Sequence, residues 1–223
     1  MIEFKDVYKS YEVSAKEKIM ALKGVTLQIE EGELIVLKGP SGSGKSSMLS
    51  LIAALSKPSS GELIVDGKRI SKLSDEFASV YRRDNIGFIF QKYNLIAHLS
   101  VRENILVPLI PLNLAQDEIQ ERIESVAHRF HIAHKLDVEV QNLSGGEQQR
   151  VAIARSYINA PKIILADEPT ANLDKELSQK FIEIVQELKE LNTTIVIATH
   201  DPLFFDLKFV DREIEVSSGE IFV

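Results

Sequence analysis

The sequence has no cysteine, no tryptophan and no long hydrophobic run. Without cysteine there can be no disulfide framework, thiolate metal site or cysteine nucleophile, and the composition suits a reducing compartment. The longest uncharged stretch, Asn104 to Gln116, contains Pro108 and Pro111 and falls short of the ~20 apolar residues that span a bilayer. The opening residues Met1-Ile2-Glu3-Phe4-Lys5-Asp6 lack the basic flank and apolar run of a secretory leader. Positive charge is also scarce: 26 Lys+Arg against 33 Asp+Glu leave a net charge of −7, which argues against a nucleic-acid partner held through phosphates. These absences lead to the expectation of a soluble chain with no direct membrane insertion. What is there is ordinary for a folded domain. A hydrophobic share of 44% and a charged share of 26% over 223 residues are enough for one large domain, or a domain with a sub-domain.

Local patterns divide the chain. Val25, Leu27 and Ile29 alternate with polar residues, which predicts a half-buried strand. Leu63-Ile64-Val65 runs into Asp66-Gly67, a favoured hairpin turn. Leu34-Ile35-Val36-Leu37 is continuously apolar, as expected of a strand buried on both faces. In the middle, Ile119, Ile123, Val126, Ala127 and Phe130 fall on one face of a helix whose first turn carries Asp117 and Glu118. The last third alternates again: strand Lys162–Ala166, helix Glu176–Leu191, strand Thr194–Ala198, a βαβ rhythm that implies a parallel sheet. The expected organisation is one domain over 1–223, with an α/β core from 1–91 and 159–223 and a helical insert over 92–158.

Three motifs carry chemistry. Gly39-Pro40-Ser41-Gly42-Ser43-Gly44-Lys45-Ser46 matches G-x-x-x-x-G-K-[ST], follows the buried strand, and leads into the helical run Met48–Leu55. Its glycines let backbone N–H groups turn towards a β-phosphate, Lys45 reaches the β- and γ-phosphates, and the Ser46 hydroxyl is placed to ligate Mg²⁺. Ile163-Ile164-Leu165-Ala166 is a second apolar strand and ends in Asp167 and Glu168, at the mouth where open α/β sheets bind ligands. Asp167 suits a magnesium partner and Glu168 suits polarisation of a water molecule. Leu143-Ser144-Gly145-Gly146-Glu147-Gln148-Gln149-Arg150 contains a capping box, Ser144-x-x-Glu147, which starts a helix. The box leaves Gly145-Gly146 unexplained, because glycine weakens a helix by ~1 kcal/mol relative to alanine. The pair points to close approach of another group at a second anion-binding helix terminus.

Two phosphate-grasping elements about a hundred residues apart, with helices between, give a sequence that resembles the nucleotide-binding subunit of ABC transporters over nearly its whole length. The family's elements stand in order: Gly39–Ser46, Gln91 after the strand Ile86–Phe90, Leu143–Gln149, Asp167-Glu168, Asn172-Leu173-Asp174, and His200. The resemblance implies a P-loop NTPase fold of α/β class, with a mostly parallel sheet, an N-terminal antiparallel β subdomain and the helical insert. It also implies ATP and Mg²⁺ as ligands, and a homodimer closing head to tail around two nucleotides. Gly39, Ser41, Gly42, Ser43, Gly44, Lys45, Ser46 and Ser47 would hold the phosphates, with Ser47 standing where threonine is usual. Ser144, Gly145, Gly146 and Glu147 would face the partner's nucleotide, and Asp174 would cross the interface. Glu168 would be the catalytic carboxylate, aided by His200 and Gln91; Ser46, Gln91 and Asp167 would be the metal-side residues. Tyr11 matches the aromatic that stacks on adenine, although Tyr8 is close by and either suits an ordinary strand. His128, His131 and His134 drift around a helix without carboxylate or thiol partners and do not make a metal site.

Residues 86–101 and Thr170–Asp174 look like the lipoprotein-releasing and macrolide-exporter branch, with Ala171 and Ala53-Ala54 as small departures. On that resemblance the partner would be a separate transmembrane permease. The chain would lie in the cytoplasm, peripheral on the inner face of the membrane, and the permease would dock on exposed apolar residues near Tyr93, Leu95 and Leu99, the alternative for these residues being simple core packing. A DNA-repair or chromosome-organising head would need a long coiled coil between P-loop and signature, and the interval has no sustained heptads. A P-loop small-molecule kinase would leave the Ser144–Glu147 motif without a purpose.

Overall fold

The computed structural model describes residues 1–14, 17–171 and 173–222; Asn172 of the Asn172-Leu173-Asp174 motif lies outside them. The chain runs β1 (Ile2–Ser14), β2 (Glu17–Ile29), β3 (Leu34–Lys38), α1 (Lys45–Ile52), β4 (Ser60–Val65), β5 (Lys68–Arg69), α2 (Asp75–Asn85) and β6 (Ile86–Ile89). It continues through α3 (Val101–Leu106), α4 (Gln116–Arg129), α5 (Gly145–Tyr157), β7 (Ile163–Asp167), α6 (Lys175–Glu190), β8 (Thr194–Thr199), β9 (Arg212–Ser217) and β10 (Glu220–Phe222). No helix among the described residues is long and apolar enough to cross a membrane.

The strands form two sheets. One is antiparallel with order β2-β1-β4-β5, and its Val65↔Lys68 register makes Asp66-Gly67 the two-residue hairpin turn expected from the sequence. Both turn residues have positive φ, 49° and 74°, as a turn matching the strand twist requires. The other has order β10-β9-β3-β8-β7-β6; β9, β3, β8, β7 and β6 are parallel, and β10 is antiparallel at the edge.

The period of two in β3 explains its unbroken apolar run. Leu34 and Val36 face a core shared with Val101, Ile105, Ile123 and Phe181 from α3, α4 and α6. Ile35 and Leu37 face a second core shared with Phe4, Leu27, Met48 and Leu63 from the antiparallel sheet and α1. Ile123, Val126 and Ala127 of α4 are buried, as the helical periodicity requires, and Phe130 follows at 1% exposure. Residues 92–158 add three helices and no strand to either sheet among the described residues, and their apolar faces pack into the sheet's own core.

This topology sets up the site. The loops after β3, β8, β7 and β6 leave the carboxyl ends of neighbouring parallel strands, so Gly39–Ser46, His200, Asp167-Glu168 and Gln91 come off one edge of one sheet.

Candidate functional site

The glycine loop is held by backbone geometry. Gly39 has φ 153°, and a Cβ there would lie 2.1 Å from the Val216 carbonyl oxygen; Gly44 has φ 116° and would meet the Ala21 carbonyl at 2.5 Å. No side chain with a Cβ fits either position. The Ser43 carbonyl accepts from Gly219 N–H at 2.9 Å, and Gly219 in turn accepts from Lys23 N–H, which fixes the loop between β2 and the β9–β10 turn. Helix α1 starts at Lys45, earlier than the expected run from Met48, and its N-terminus carries no side-chain cap. By contrast, α2, α3, α5 and α6 are capped by Ser74, Ser100, Ser144 and Asp174. The first-turn N–H groups of α1 are therefore open to an anion.

Within that cradle Ser41, Gly42 and Ser46 are exposed and Ser47 is half-buried, whereas the buried Ser43 hydroxyl has no protein partner. The Lys45 ammonium is buried and donates to the Gly39 and Pro40 carbonyls at 2.6 and 3.1 Å. Ser46 donates to Asp167 Oδ1 at 2.8 Å, joining the loop to the end of β7. Burial, reinforced by Glu168 beside it, pushes the Asp167 carboxyl above the usual carboxylate range, against the pull of the Ser46 hydroxyl and Lys45.

Glu168 has φ 45°, a left-handed backbone in a non-glycine residue, and its N–H extends the ladder to the Ala198 carbonyl at 2.8 Å. Such a conformation costs of order 1–3 kcal/mol and persists only where surroundings enforce it. Here it accompanies a carboxylate gathered against the loop and the end of β8: Oε1 is 3.5 Å from Lys45 Nζ, and Oε2 is 3.0 Å from His200 Nδ1. Gln91 follows β6 in an exposed turn. Tyr11 is 40% exposed on β1 with Lys9 Nζ 4.8 Å above its ring, and β1 pairs with β2, the strand that passes Gly44.

The second glycine motif is built differently. Ser144 Oγ accepts from Glu147 N–H at 3.4 Å and Glu147 Oε2 accepts from Ser144 N–H at 2.8 Å, so the expected capping box is present. Lys135 pairs with Glu147 at 3.4 Å. Among the described residues no bond joins this group to Gly39–Ser47. The two glycines have different reasons. A Cβ on Gly146 would lie 2.6 Å from Leu177 Cδ2, so part of the close approach comes from this chain's own α6. A Cβ on Gly145 would meet nothing within 4 Å. Asp174 likewise has a role the sequence did not show: its carboxylate caps α6 by accepting from Leu177 N–H at 2.9 Å.

Of the two readings of the segment around Tyr93, Leu95 and Leu99, core packing holds for the first two. Tyr93 is only 8% exposed, and Leu95 packs on the core. The Arg155 guanidinium donates to the Tyr93 and Asn94 carbonyls at 2.6 Å each, holding a turn with φ 59° and 50° that tucks the ring inward. Leu99 is half-buried, and Ile96, at 47%, is the exposed apolar side chain of this segment. A groove of about 340 Å³ is lined by Phe88 and Phe90, whose rings stack at 4.2 Å, together with Asn94, Val107, Pro108 and Arg82.

The site residues suit the ligands that the resemblance implies. A glycine cradle under an uncapped helix terminus, with an unpartnered Ser43 hydroxyl and a buried lysine, fits a polyphosphate. The hydroxyl, carboxylate and amide of Ser46, Asp167 and Gln91 are hard oxygen donors suited to Mg²⁺.

Comparison with known proteins agrees. The family model described as ABC transporter matches residues 22–171. The macrolide export ATP-binding/permease protein MacB of Campylobacter jejuni is 44% identical over 200 residues, covering 90% of this chain and 31% of that protein. The chain thus spans about a third of the length of the MacB relatives it matches. An uncharacterized ABC transporter ATP-binding protein of Thermotoga maritima is 38% identical over 201 residues, with 90% and 86% covered. The dimeric post-hydrolysis structure of the ATP-binding cassette MJ0796 bound to ADP and Pi superposes with a TM-score of 0.92 at 39% identity, covering 100% of this chain and 97% of that one.

Proposed function

The chain belongs to the ABC transporter family, and from that premise we propose that it is the ATP-hydrolysing motor of a membrane transport or mechanotransmission complex. One observation carries the reading. Lys45, Ser46, Asp167, Glu168 and His200 are joined by contacts at one sheet edge, while the capped glycine terminus at Ser144 stands apart with Gly145 facing open space. A half-site of each kind on one chain calls for a second chain to complete both, and a two-fold pair does so twice. The dimeric MJ0796 cassettes support the same arrangement.

In this reading the α1 amides and Lys45 hold the phosphates of ATP, and Tyr11 lies under the base. Ser46, Asp167 and Gln91 hold Mg²⁺, which when bound neutralises charge on the phosphate oxygens. Glu168 orients a water and takes its proton as the water oxygen bonds to the γ-phosphorus and the bond to ADP breaks; His200 steadies the carboxylate and the phosphate. Ser144, Gly145 and Gly146 close on the nucleotide of the partner, and Asp174 lies at that interface.

The core 1–91 and 159–223 forms the nucleotide half, and 92–158 is the lever. Closure pulls on a permease seated in the Phe88–Phe90 groove, where Val107 adds exposed apolar surface at 37%. Through that contact the chain sits on the inner face of the membrane. The names of the MacB relatives, which join ATP-binding and permease, support macrolide-exporter or lipoprotein-release chemistry as the branch.

Glu168→Gln tests the reading. It is expected to bind ATP, lose ~10²–10⁴-fold in turnover as removal of a general base does, and elute as a dimer when ATP is present. A variant that stays monomeric with saturating ATP at every concentration would sink the closing scheme.

A further inference from the structure

The two oxygens of Glu168 have unlike surroundings. Oε1 has Lys45 Nζ at 3.5 Å. Oε2 receives the Thr199 hydroxyl at 3.1 Å and His200 N–H at 3.3 Å, and lies 3.0 Å from His200 Nδ1. The His200 side chain is 65% exposed, whereas Thr199 is fully buried at the last position of β8.

The direction of the Thr199 hydrogen bond is fixed by its neighbours. Its oxygen accepts from Asp201 N–H at 3.0 Å, and its hydroxyl proton goes to Glu168 Oε2. Asp201 is locked in turn: Oδ2 takes the Thr170 hydroxyl at 2.6 Å and Oδ1 takes Leu203 N–H at 3.0 Å. Thr170, like Thr199, is buried. An oriented chain therefore runs Thr170, Asp201, Thr199, Glu168 and fastens one oxygen of the carboxylate to the end of the central strand.

We propose that Thr199 is a positioning residue for ATP hydrolysis: it pins Oε2 so that Oε1, on the Lys45 side, is the oxygen presented to the attacking water. The proposal rests on the reading of Glu168 as general base. It gives the left-handed backbone at Glu168 a purpose, because a carboxylate reached from a strained turn keeps its aim only if something rigid holds it. A catalytic group displaced by about 1 Å can lose ~10²-fold in rate.

Serine and alanine at this position differ by one hydroxyl, and Thr199→Val removes the hydroxyl while keeping the branched shape. Steady-state MgATP hydrolysis by the assembled dimer is expected to show kcat lowered ~10–10²-fold in Thr199→Ala, with KM for ATP unchanged. Thr199→Ser is expected to recover most of the wild-type rate, and the alanine variant is expected to accumulate as ATP-bound dimer on size exclusion. Thr199→Val should match Thr199→Ala, which separates loss of the hydroxyl from loss of packing. If alanine and valine turn over like serine, Thr199 does not position Glu168. If all three fall equally, or the loss lies in KM, its role is packing and the proposal fails. Glu168→Gln, measured alongside, separates the two ideas: full activity there overturns the general-base reading itself, whereas a dead Glu168→Gln beside an active Thr199→Ala overturns only the role of Thr199.

Discussion

The two glycine-bearing helix starts of this chain, at Gly44-Lys45 and at Ser144-Gly145, differ in what they are bonded to. The first has no capping side chain, and the residues around it are wired across the sheet edge through Ser46 to Asp167 and Lys45 to Glu168. The second satisfies itself through its own capping box and points a bare glycine at open space. The first is a site that folding alone assembles; the second is a surface that folding only presents. An anion-binding helix terminus thus has two forms, and the form tells whether the rest of the site lies in the same chain. The adjacent glycines of the second terminus are expected to show the largest effects. At Gly145 a side chain meets nothing in this chain, and leaving glycine favours the helix. Gly145→Leu is therefore expected to melt no lower than wild type yet lose ATP-driven dimerisation and at least about tenfold in turnover, roughly 1.4 kcal/mol of lost closure. At Gly146 the first added carbon strikes Leu177, so overpacking offsets the helix gain of leaving glycine, and Gly146→Ala is expected to melt lower than Gly145→Leu, by up to about 1 kcal/mol because the half-buried Leu177 can yield. Melting curves beside size exclusion with ATP read both. Equal stability losses at the two positions would erase the distinction drawn between them.

One buried hydrogen bond ties α5 to the loop after β7. Gln149, buried on α5 one turn past Gly145, donates its amide to the Pro169 carbonyl at 2.8 Å, the peptide next to Glu168. Gln149→Leu puts an apolar side chain in place of the amide and strands a buried carbonyl, which costs about 1–3 kcal/mol. The expected outcome is a lower Tm together with a kcat loss that Gln149→Glu does not rescue, since a carboxylate cannot donate there. Unchanged kcat in a folded Gln149→Leu protein would mean that the terminus at Ser144 is mechanically independent of Glu168.

The parts of the site written in contiguous residues were readable before folding. Glycines after a four-residue apolar strand, and two carboxylates after another, can be read because strand burial and loop chemistry are local properties. The hairpin at Asp66-Gly67 and the capping box at Ser144 belong with them. What could not be read depends on residues far apart in the chain. Thr199 looks like ordinary β-branched strand composition until Glu168, thirty-one positions earlier, arrives beside it. Gly146 reads as a place for a partner until Leu177 fills part of the space. Tyr93 reads as exposed apolar surface because nothing near it announces that Arg155 will grip the peptide and turn the ring inward. Asp174 gave a motif but not its capping bond, which needed the start of α6 to fall at Lys175 rather than Glu176.

The smallest effect concerns the first helix start alone and has the opposite sign. Burial, with the charge of Glu168 added to it, lifts the Asp167 carboxyl in the folded chain above its unfolded value, against the pull of the Ser46 hydroxyl and Lys45. A carboxyl raised in the folded state contributes stability below its unfolded pKa, and that contribution is lost as pH rises through the folded pKa. In the nucleotide-free protein folding therefore disfavours the charged form of Asp167. Asp167→Asn removes that charge and keeps an acceptor for the Ser46 hydroxyl. It is expected to raise the Tm of the nucleotide-free protein at pH 7, with the gain shrinking as the pH is lowered towards the ordinary aspartate range, and to impair Mg²⁺-dependent turnover. Thermal melts of both proteins across acid and neutral pH check the sign. A destabilised Asp167→Asn at neutral pH would mean that the Lys45 and Ser46 contacts outweigh burial, and that this wiring holds the fold together rather than holding a charge ready for a metal ion.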